Sequence, residues 1–321
     1  MSHNNIWLIG LGNMGYEYSR VLDSIEVNYT AIGRSEKSTS LFSEKTGHEA
    51  ISGGIEEFLK RKPQLPDAAI VAVNFEYLKD TAHELLNYGI KHILIEKPGV
   101  QDFDEIDEIC NLTLKYNAKV MIAYNRRFYA SVIKAREITK EDGGVTSFHF
   151  EFTEWTNELF GLYSHKIESL KTLFLTNSSH VVDTAFYLGG TPERISCYHA
   201  GTLEWHKPSI FAGAGITKEG ALFSYNANWQ SAGRWSVEIM TPKHRLHLRP
   251  MEKLMIQNID SIATNEADID PNNYDTDFKP GLYLQTKTFL EGDYSQFCSV
   301  FDQKRHFDTF YKPISGYKHT I

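Results

Sequence analysis

The chain has 321 residues, too many for one ordinary core, and predicts two domains. At 41% hydrophobic and 23% charged it reads as a soluble globular protein, and its net charge of −8 argues against general affinity for nucleic acid. Cys110, Cys197 and Cys298 lie too far apart for a disulfide framework or a zinc spacing, no basic region precedes the first apolar run, and no apolar run approaches the ~20 residues of a membrane helix, so a cytoplasmic protein is expected.

The run Ile6-Trp7-Leu8-Ile9 has the continuous apolar character of a parallel strand covered on both faces. It leads into Gly10-Leu11-Gly12-Asn13-Met14-Gly15 and then an amphipathic helix with Met14, Tyr18, Val21 and Leu22 on one face. A G-x-G-x-x-G match between a strand and a helix predicts dinucleotide binding. Its glycines give a tight turn, close approach to a pyrophosphate and close helix packing, and the N–H groups around Asn13 and Met14 face the phosphates.

A second strand, residues 27–32, ends at Gly33-Arg34-Ser35. An NAD site would place an acid there to hold the ribose 2′-OH; here a guanidinium and a hydroxyl follow a glycine. Arg34 can stack on adenine and pair with a 2′-phosphate, so NADP is expected over NAD, with Glu36 the residue that could serve NAD.

Residues 41–62 read as helix, short strand and helix. The run 67–73 is a buried strand ending at Asn74-Phe75-Glu76-Tyr77, residues that either border the nicotinamide ribose or cap the turn into the next helix. A helix over 77–88 stops at Gly89, and His92-Ile93-Leu94-Ile95 is a strand that ends abruptly at Glu96-Lys97-Pro98-Gly99. That places a Lys97 ammonium at the carboxyl end of a buried strand, where ligands of open α/β sheets sit. A helix over 103–116 and a strand over 119–123 follow, ending at Tyr124-Asn125-Arg126-Arg127. Alternating strand and helix over the first ~125 residues predict a parallel doubly wound sheet.

The pattern then changes. In residues 145–155, Phe148, Phe150 and Phe152 alternate with polar residues, and further strands are expected over 194–199, 221–229, 235–241 and 245–248. Few helical spacers separate them, so an open, largely antiparallel sheet is expected, with one helix near 178–188 and a helical tail over 283–311. His244 and His247, three apart in a strand, face opposite sides, and no other set of His, Cys and Asp has metal spacing, so no metal is expected.

Three motifs stand in order: Gly10-x-Gly12-x-x-Gly15, Glu96-Lys97-Pro98, and Ser179-His180-Val181-Val182-Asp183 followed by Leu188-Gly189-Gly190. Together they resemble the glucose–fructose oxidoreductase / inositol dehydrogenase / rhizopine-catabolism (Gfo/Idh/MocA) family over nearly the whole chain. The resemblance implies an N-terminal Rossmann domain over 1–124 and a C-terminal α/β domain over 125–321 for substrate binding and oligomerisation, with the C-terminal helix able to pack back on the first. It implies a homodimer or homotetramer, and places Lys97 and His180 beside the nicotinamide and the reacting carbinol.

The chemistry agrees. Carbonyl reduction needs a proton donor with a usable pKa and positive charge where the alkoxide develops; His180 and Lys97 can supply these, with Asp183 one helical turn from His180 to orient it. Many family members carry an acid four residues before this histidine, and here that residue is Thr176. Tyr124, Asn125, Arg126, Tyr163, His165 and Thr176 are expected at the substrate, with Arg127, Lys166 and residues 277–281 nearby. The expected activity is hydride transfer between nicotinamide and a ketone or secondary alcohol of a sugar, sugar acid or nucleotide-linked sugar. The alternatives are a dinucleotide-binding regulator without turnover and a reductase of a non-sugar carbonyl or imine.

Overall fold

A computed structural model describes residues 5–163 and 167–317. The chain divides into two compact units, Met1–Phe128 with Tyr274–Lys304, and Tyr129–Asn273 with Arg305–Ile321.

The first unit alternates β1 (Ile6–Ile9), α1 (Asn13–Ser24), β2 (Tyr29–Ile32), α2 (Glu36–Thr46), β3 (Ala50–Ile51), α3 (Gly54–Lys60), β4 (Ala68–Val71), α4 (Leu78–Tyr88), β5 (His92–Glu96), α5 (Ile106–Lys115) and β6 (Lys119–Ala123). These strands are parallel in the order β6-β5-β4-β1-β2-β3, and Cys298–Ser299 adds an antiparallel edge beside β6. This is the doubly wound Rossmann arrangement expected, with its switch point between β1 and β4. β1 and β4 are buried along their whole length, as sheet strands covered on both faces must be. Helix α1 buries Tyr18, Val21 and Leu22 against the sheet. Helix α2 starts in a Ser35/Ser38 capping box and ends at Gly47, whose φ of 76° is left-handed.

The tail is not one helix. Helix Leu282–Glu291 lies against α1 and stops at Gly292 (φ 78°). An Asp293–Ser295 turn follows, and the chain then pairs with β6 before turning helical again at Val300.

The second unit contains α6 (Ala130–Glu141), β7 (Ser147–Glu151), α7 (Thr156–Tyr163), α8 (Ile167–Lys171), α9 (Ser179–Gly189), and strands β8 (Pro192–Ala200), β9 (Ile210–Thr217), β10 (Leu222–Asn228), β11 (Ser236–Met240), β12 (His244–Leu248), β13 (Met255–Asn258) and β14 (Thr264–Glu266). They form one sheet in the order β14-β13-β12-β11-β7-β10-β9-β8, antiparallel except for the β7–β10 pair. The alternating phenylalanines of β7 face inward. Phe148 stacks on Phe223, Phe150 on Tyr225, and Phe186 of α9 meets Phe148 edge-on. α9 covers this aromatic face and is buried at every position except Tyr187.

Candidate functional site

At the switch point of the first unit a cavity of about 570 Å³ opens, a size that suits a cofactor. Its floor is Gly10, Leu11 and Gly12, with Ala72, Val73 and Asn74 from the end of β4 and Gly53, Gly54 and Glu56 from the start of α3. The three motif glycines have different neighbours. A Cβ on Gly10 would lie 2.5 Å from the Ala72 backbone, and one on Gly15 would lie 2.0 Å from the Gly10 carbonyl oxygen, so Gly10 lets the loop pack on the end of β4 and Gly15 lets it close on itself. A Cβ on Gly12 would meet nothing within 4 Å. Gly12 is bare toward open space, directly before the free N–H groups of α1 at Asn13 and Met14. That cradle fits a pyrophosphate.

At the end of β2, Gly33 is buried, and a Cβ there would run into Thr39 at 2.6 Å and Leu11 at 3.0 Å. A carboxylate cannot occupy that position without moving its neighbours. Arg34 lies over the Tyr77 ring with its guanidinium carbon 4.4 Å from the centroid. Ser35 and Ser38 cap α2 through the Ser38 N–H to Ser35 Oγ bond of 3.2 Å, and both hydroxyls line the cavity with Arg34 and Tyr77. Asp80, Thr81 and Glu84 of α4 line it as well. Ser38 was not anticipated from the sequence, and Tyr77, expected with Asn74 beside the nicotinamide ribose, lies instead under Arg34. Their part depends on α4 and α2 converging on the end of β2.

Glu96 and Lys97 end β5 in a tight turn closed by the Gly99 N–H to Glu96 carbonyl bond, and the Lys97–Pro98 peptide is cis. Glu96 Oε1 accepts a 2.9 Å hydrogen bond from the Tyr18 hydroxyl. Burial raises the Glu96 pKa, opposed by the Lys97 charge, the Tyr18 hydrogen bond and the Lys279 charge. Lys97 is half-buried, at the carboxyl end of its strand. Tyr124 is buried and bonded to Gln303, whose amide also donates to the Pro98 carbonyl at 3.0 Å. Asn125 donates to the Pro280 carbonyl at 2.9 Å, and Arg127 to that of Gln296 at 3.3 Å. Arg126 follows Asn125 in the same short 3-10 turn, Asn125–Phe128. Residues 276–279 border a second cavity of about 380 Å³ beside Asn13, Met14, Glu17 and Arg20 of α1.

In the second unit, His180 and Asp183 stand one turn apart on α9, with 8% and 1% of their surfaces exposed. Thr176 lies in the π-helical turn Phe174–Ser178 that runs into α9, and its hydroxyl donates to the Thr172 carbonyl at 3.0 Å. Tyr163 ends α7, and His165 and Lys166 fall outside the described residues. His244 bonds Asp142 at 2.6 Å while His247 faces Glu238, so the two histidines serve different partners.

A second cluster was not foreseen. Glu154, just beyond β7, is 1% exposed, and its carboxylate accepts from Ser178 Oγ at 2.6 Å and Asn177 Nδ2 at 2.9 Å. Arg234 approaches it at 3.5 Å and lies over the rings of Trp155 and Trp235, 4.3 and 4.2 Å from their centroids. The Trp235 ring is 6.1 Å from that of His180. Burial pushes the Glu154 carboxyl up to about 7, against the Ser178 hydrogen bond, the Arg234 charge and the Asn177 and Trp235 donors. The sequence signal was its place two residues after Phe152, the next inward position of an aromatic strand.

A Rossmann sheet whose switch-point cavity is floored by a bare glycine and a helix N-terminus defines a dinucleotide-binding protein. Residues 4–124 match the model of the Gfo/Idh/MocA oxidoreductase family, NAD-binding Rossmann fold. The match covers the N-terminal Rossmann region, agrees with the family that the three motifs resemble, and supports NAD(P)-dependent oxidoreductase activity.

Among solved structures, a levoglucosan dehydrogenase in complex with NADH and levoglucosan aligns at a TM-score of 0.79 and 15% identity, over 97% of this chain and 95% of its own. UDP-N-acetylglucosamine 3-dehydrogenase from Acidithiobacillus ferrooxidans aligns at 0.74 and 14%, over 98% of both chains. An oxidoreductase from Agrobacterium radiobacter, in complex with NAD+, L-tartaric acid and magnesium, aligns at 0.74 and 12%, over 96% of this chain and 94% of its own. At these identities the likeness is one of fold. No curated protein sequence matches the chain. Among the described residues no helix is long and apolar enough to cross a membrane.

Proposed function

We propose that the protein is an NADPH-preferring oxidoreductase acting on a ketone or secondary alcohol of a sugar, sugar acid or nucleotide-linked sugar. The observation that carries the cofactor preference is the end of β2. A carboxylate side chain at Gly33 would have to displace the Thr39 and Leu11 side chains, while Arg34, Ser35 and Ser38 line the cavity with cationic and hydroxyl donors. The sugar assignment is supported by the substrates named for two proteins of like fold, levoglucosan and UDP-N-acetylglucosamine.

In this reading Gly12, Asn13 and Met14 hold the pyrophosphate, Arg34 and Ser35 the 2′-phosphate, and Asn74 borders the ribose. When bound, the reduced nicotinamide supplies the hydride taken up by the carbonyl carbon. Lys97 stabilises negative charge on the carbonyl oxygen, and His180 delivers the proton that completes the alcohol, held in place by Asp183. Tyr124, Asn125 and Arg126 shape the first unit's contribution to substrate binding. The protein works as a homo-oligomer in the cytoplasm.

The test is a parallel fluorescence titration with NADPH and NADH, followed by a sugar panel with the cofactor that binds. NADPH tighter than NADH, and turnover of a sugar that is lost in Lys97→Ala, is the expected result. Equal binding of both overturns the cofactor preference. Binding without turnover on any carbonyl leaves a dinucleotide-dependent regulator instead.

A further inference from the structure

We infer that Glu154 is a positioning residue for His180: its carboxylate pins the π-helical turn ahead of α9 through Asn177 and Ser178. The inference rests on the reading of His180 as the proton carrier.

The observations are independent of the sequence motifs. Glu154 is buried among four donor-bearing side chains. Two of them, Asn177 and Ser178, are the last residues of the π-turn, and Ser179-His180 follow at once. A π-turn within an α-helix is rare and is frequently found at functional sites. Here it is tied down on one side by a charged group. Thr176, in the middle of the same turn, spends its hydroxyl on the Thr172 carbonyl within the helix. The groups that face the carboxylate are Asn177 and Ser178 from the turn and Arg234 and Trp235 from the segment before β11. Arg234 is the charged one among them, and His180 is the titratable group beyond Trp235.

Protonation changes this arrangement. As a carboxylate, Glu154 accepts from every neighbour. Once protonated it has a hydrogen to donate, and the Ser178 hydroxyl at 2.6 Å must turn to accept it. The protonated acid also ceases to neutralise Arg234. Burial brings this change to about pH 7, within the working range of an imidazole. The presentation of His180 therefore depends on the charge at Glu154, and turnover rises with pH as that group ionises.

The experiment uses the full-length chain with selectively labelled histidine. The His180 imidazole is titrated by NMR in wild type, Glu154→Gln, Glu154→Asp and Ser178→Ala, with His180→Asn for assignment. The kcat/KM–pH profile is recorded for the same set. In Glu154→Gln, kcat/KM should fall on the order of 10- to 100-fold, the cost of misplacing a reacting group by about 1 Å, and the limb near pH 7 should disappear. The His180 titration should shift, Glu154→Asp should restore part of the limb, and Ser178→Ala should move the limb to higher pH. Unchanged His180 titration and pH profile in folded Glu154→Gln overturns the inference; if that variant does not fold, an unmoved limb in Ser178→Ala does so. Full turnover in His180→Asn would instead defeat the reading of His180, which the histidine titration in the Glu154 variants separates from the present claim.

Discussion

Gly12 separates binding from folding more cleanly than any other residue of the nucleotide loop. It is the N-cap of α1, with φ −82° and ψ −160°, a conformation open to any residue, and a Cβ there would meet nothing within 4 Å. Gly12→Ala should therefore cost the fold only the modest difference between glycine and alanine at an N-cap, about 1 kcal/mol or less. For a unit of this size that is a fall in melting temperature of roughly 2–4 °C. The same methyl group occupies the space in which a pyrophosphate must approach the α1 N–H groups. Losing one such charge-assisted hydrogen bond costs roughly 1.5–3 kcal/mol, or about 10- to 100-fold in affinity. Gly15→Ala is the contrast: its Cβ lies 2.0 Å from a carbonyl oxygen that cannot swing away as a side chain could, so it should destabilise by roughly 1–3 kcal/mol and impair binding as a consequence. The assay pairs thermal melts with fluorescence titration of NADPH for both variants. If Gly12→Ala binds as tightly as wild type, the open space above it is not where the cofactor lies. If it melts as low as Gly15→Ala, the separation argued from the missing contacts is wrong.

Arg34→Ala should weaken NADPH by roughly 1.5–3 kcal/mol and leave NADH nearly unchanged in calorimetric titrations; an equal loss for both would assign Arg34 to the adenine alone. Lys97→Ala should lower kcat at least 100-fold while leaving the NADPH dissociation constant within a few-fold, and unaltered turnover would remove Lys97 from the chemistry. Glu154 holds its proton more tightly in the folded chain than in the unfolded one, where its value is near 4.5, so its contribution to stability falls as pH rises from about 4.5 through 7. Urea unfolding at pH 5 and pH 8 should show Glu154→Gln gaining roughly 2–3 kcal/mol relative to wild type over that interval, and a pH-independent difference would contradict the raised pKa. Tyr18→Phe removes the hydrogen bond to Glu96 and should cost roughly 1–3 kcal/mol in denaturant unfolding, since it leaves a desolvated carboxyl short of a donor.

The Rossmann half was legible because its strands are buried on both faces and read as unbroken apolar runs, and because glycine and proline punctuate them. In the second unit the alternation of Phe148, Phe150 and Phe152 announced β7, but β9 escaped notice. Its sequence, Ile-Phe-Ala-Gly-Ala-Gly-Ile-Thr, is too glycine-rich to look like a strand. The reason lies across the sheet, where a Cβ on Gly213 or Gly215 would strike the rings of Tyr225 and Phe223 at about 2.4–2.5 Å. The glycines make room for the aromatic core of β10, a need that only the pairing reveals. The candidate site divides in the same way. The glycine loop and Arg34 announce themselves locally, whereas Tyr77 under Arg34 and Arg234 between two indoles acquire their meaning only when distant segments meet.

The two motifs of the first unit are also one mechanical object. Tyr18 sits on the helix that the glycine loop begins, and its hydroxyl is held by Glu96 at the end of β5. Burial and the Glu96 charge push the Tyr18 phenol well above its usual range, so it stays a proton donor at every physiological pH. Glu96 of Glu-Lys-Pro takes its hydrogen bond from the helix that begins at the glycine loop. Lys97, the next residue along, is thereby fixed relative to Gly12. In the proposed reaction, where Lys97 meets both cofactor and substrate, such a tether is useful because errors in placing the two would otherwise add. The pairing of Glu154 with Asn177 and Ser178 repeats the device in the second unit: a buried carboxyl holds the turn that leads into His180, the proton donor of the proposed reaction.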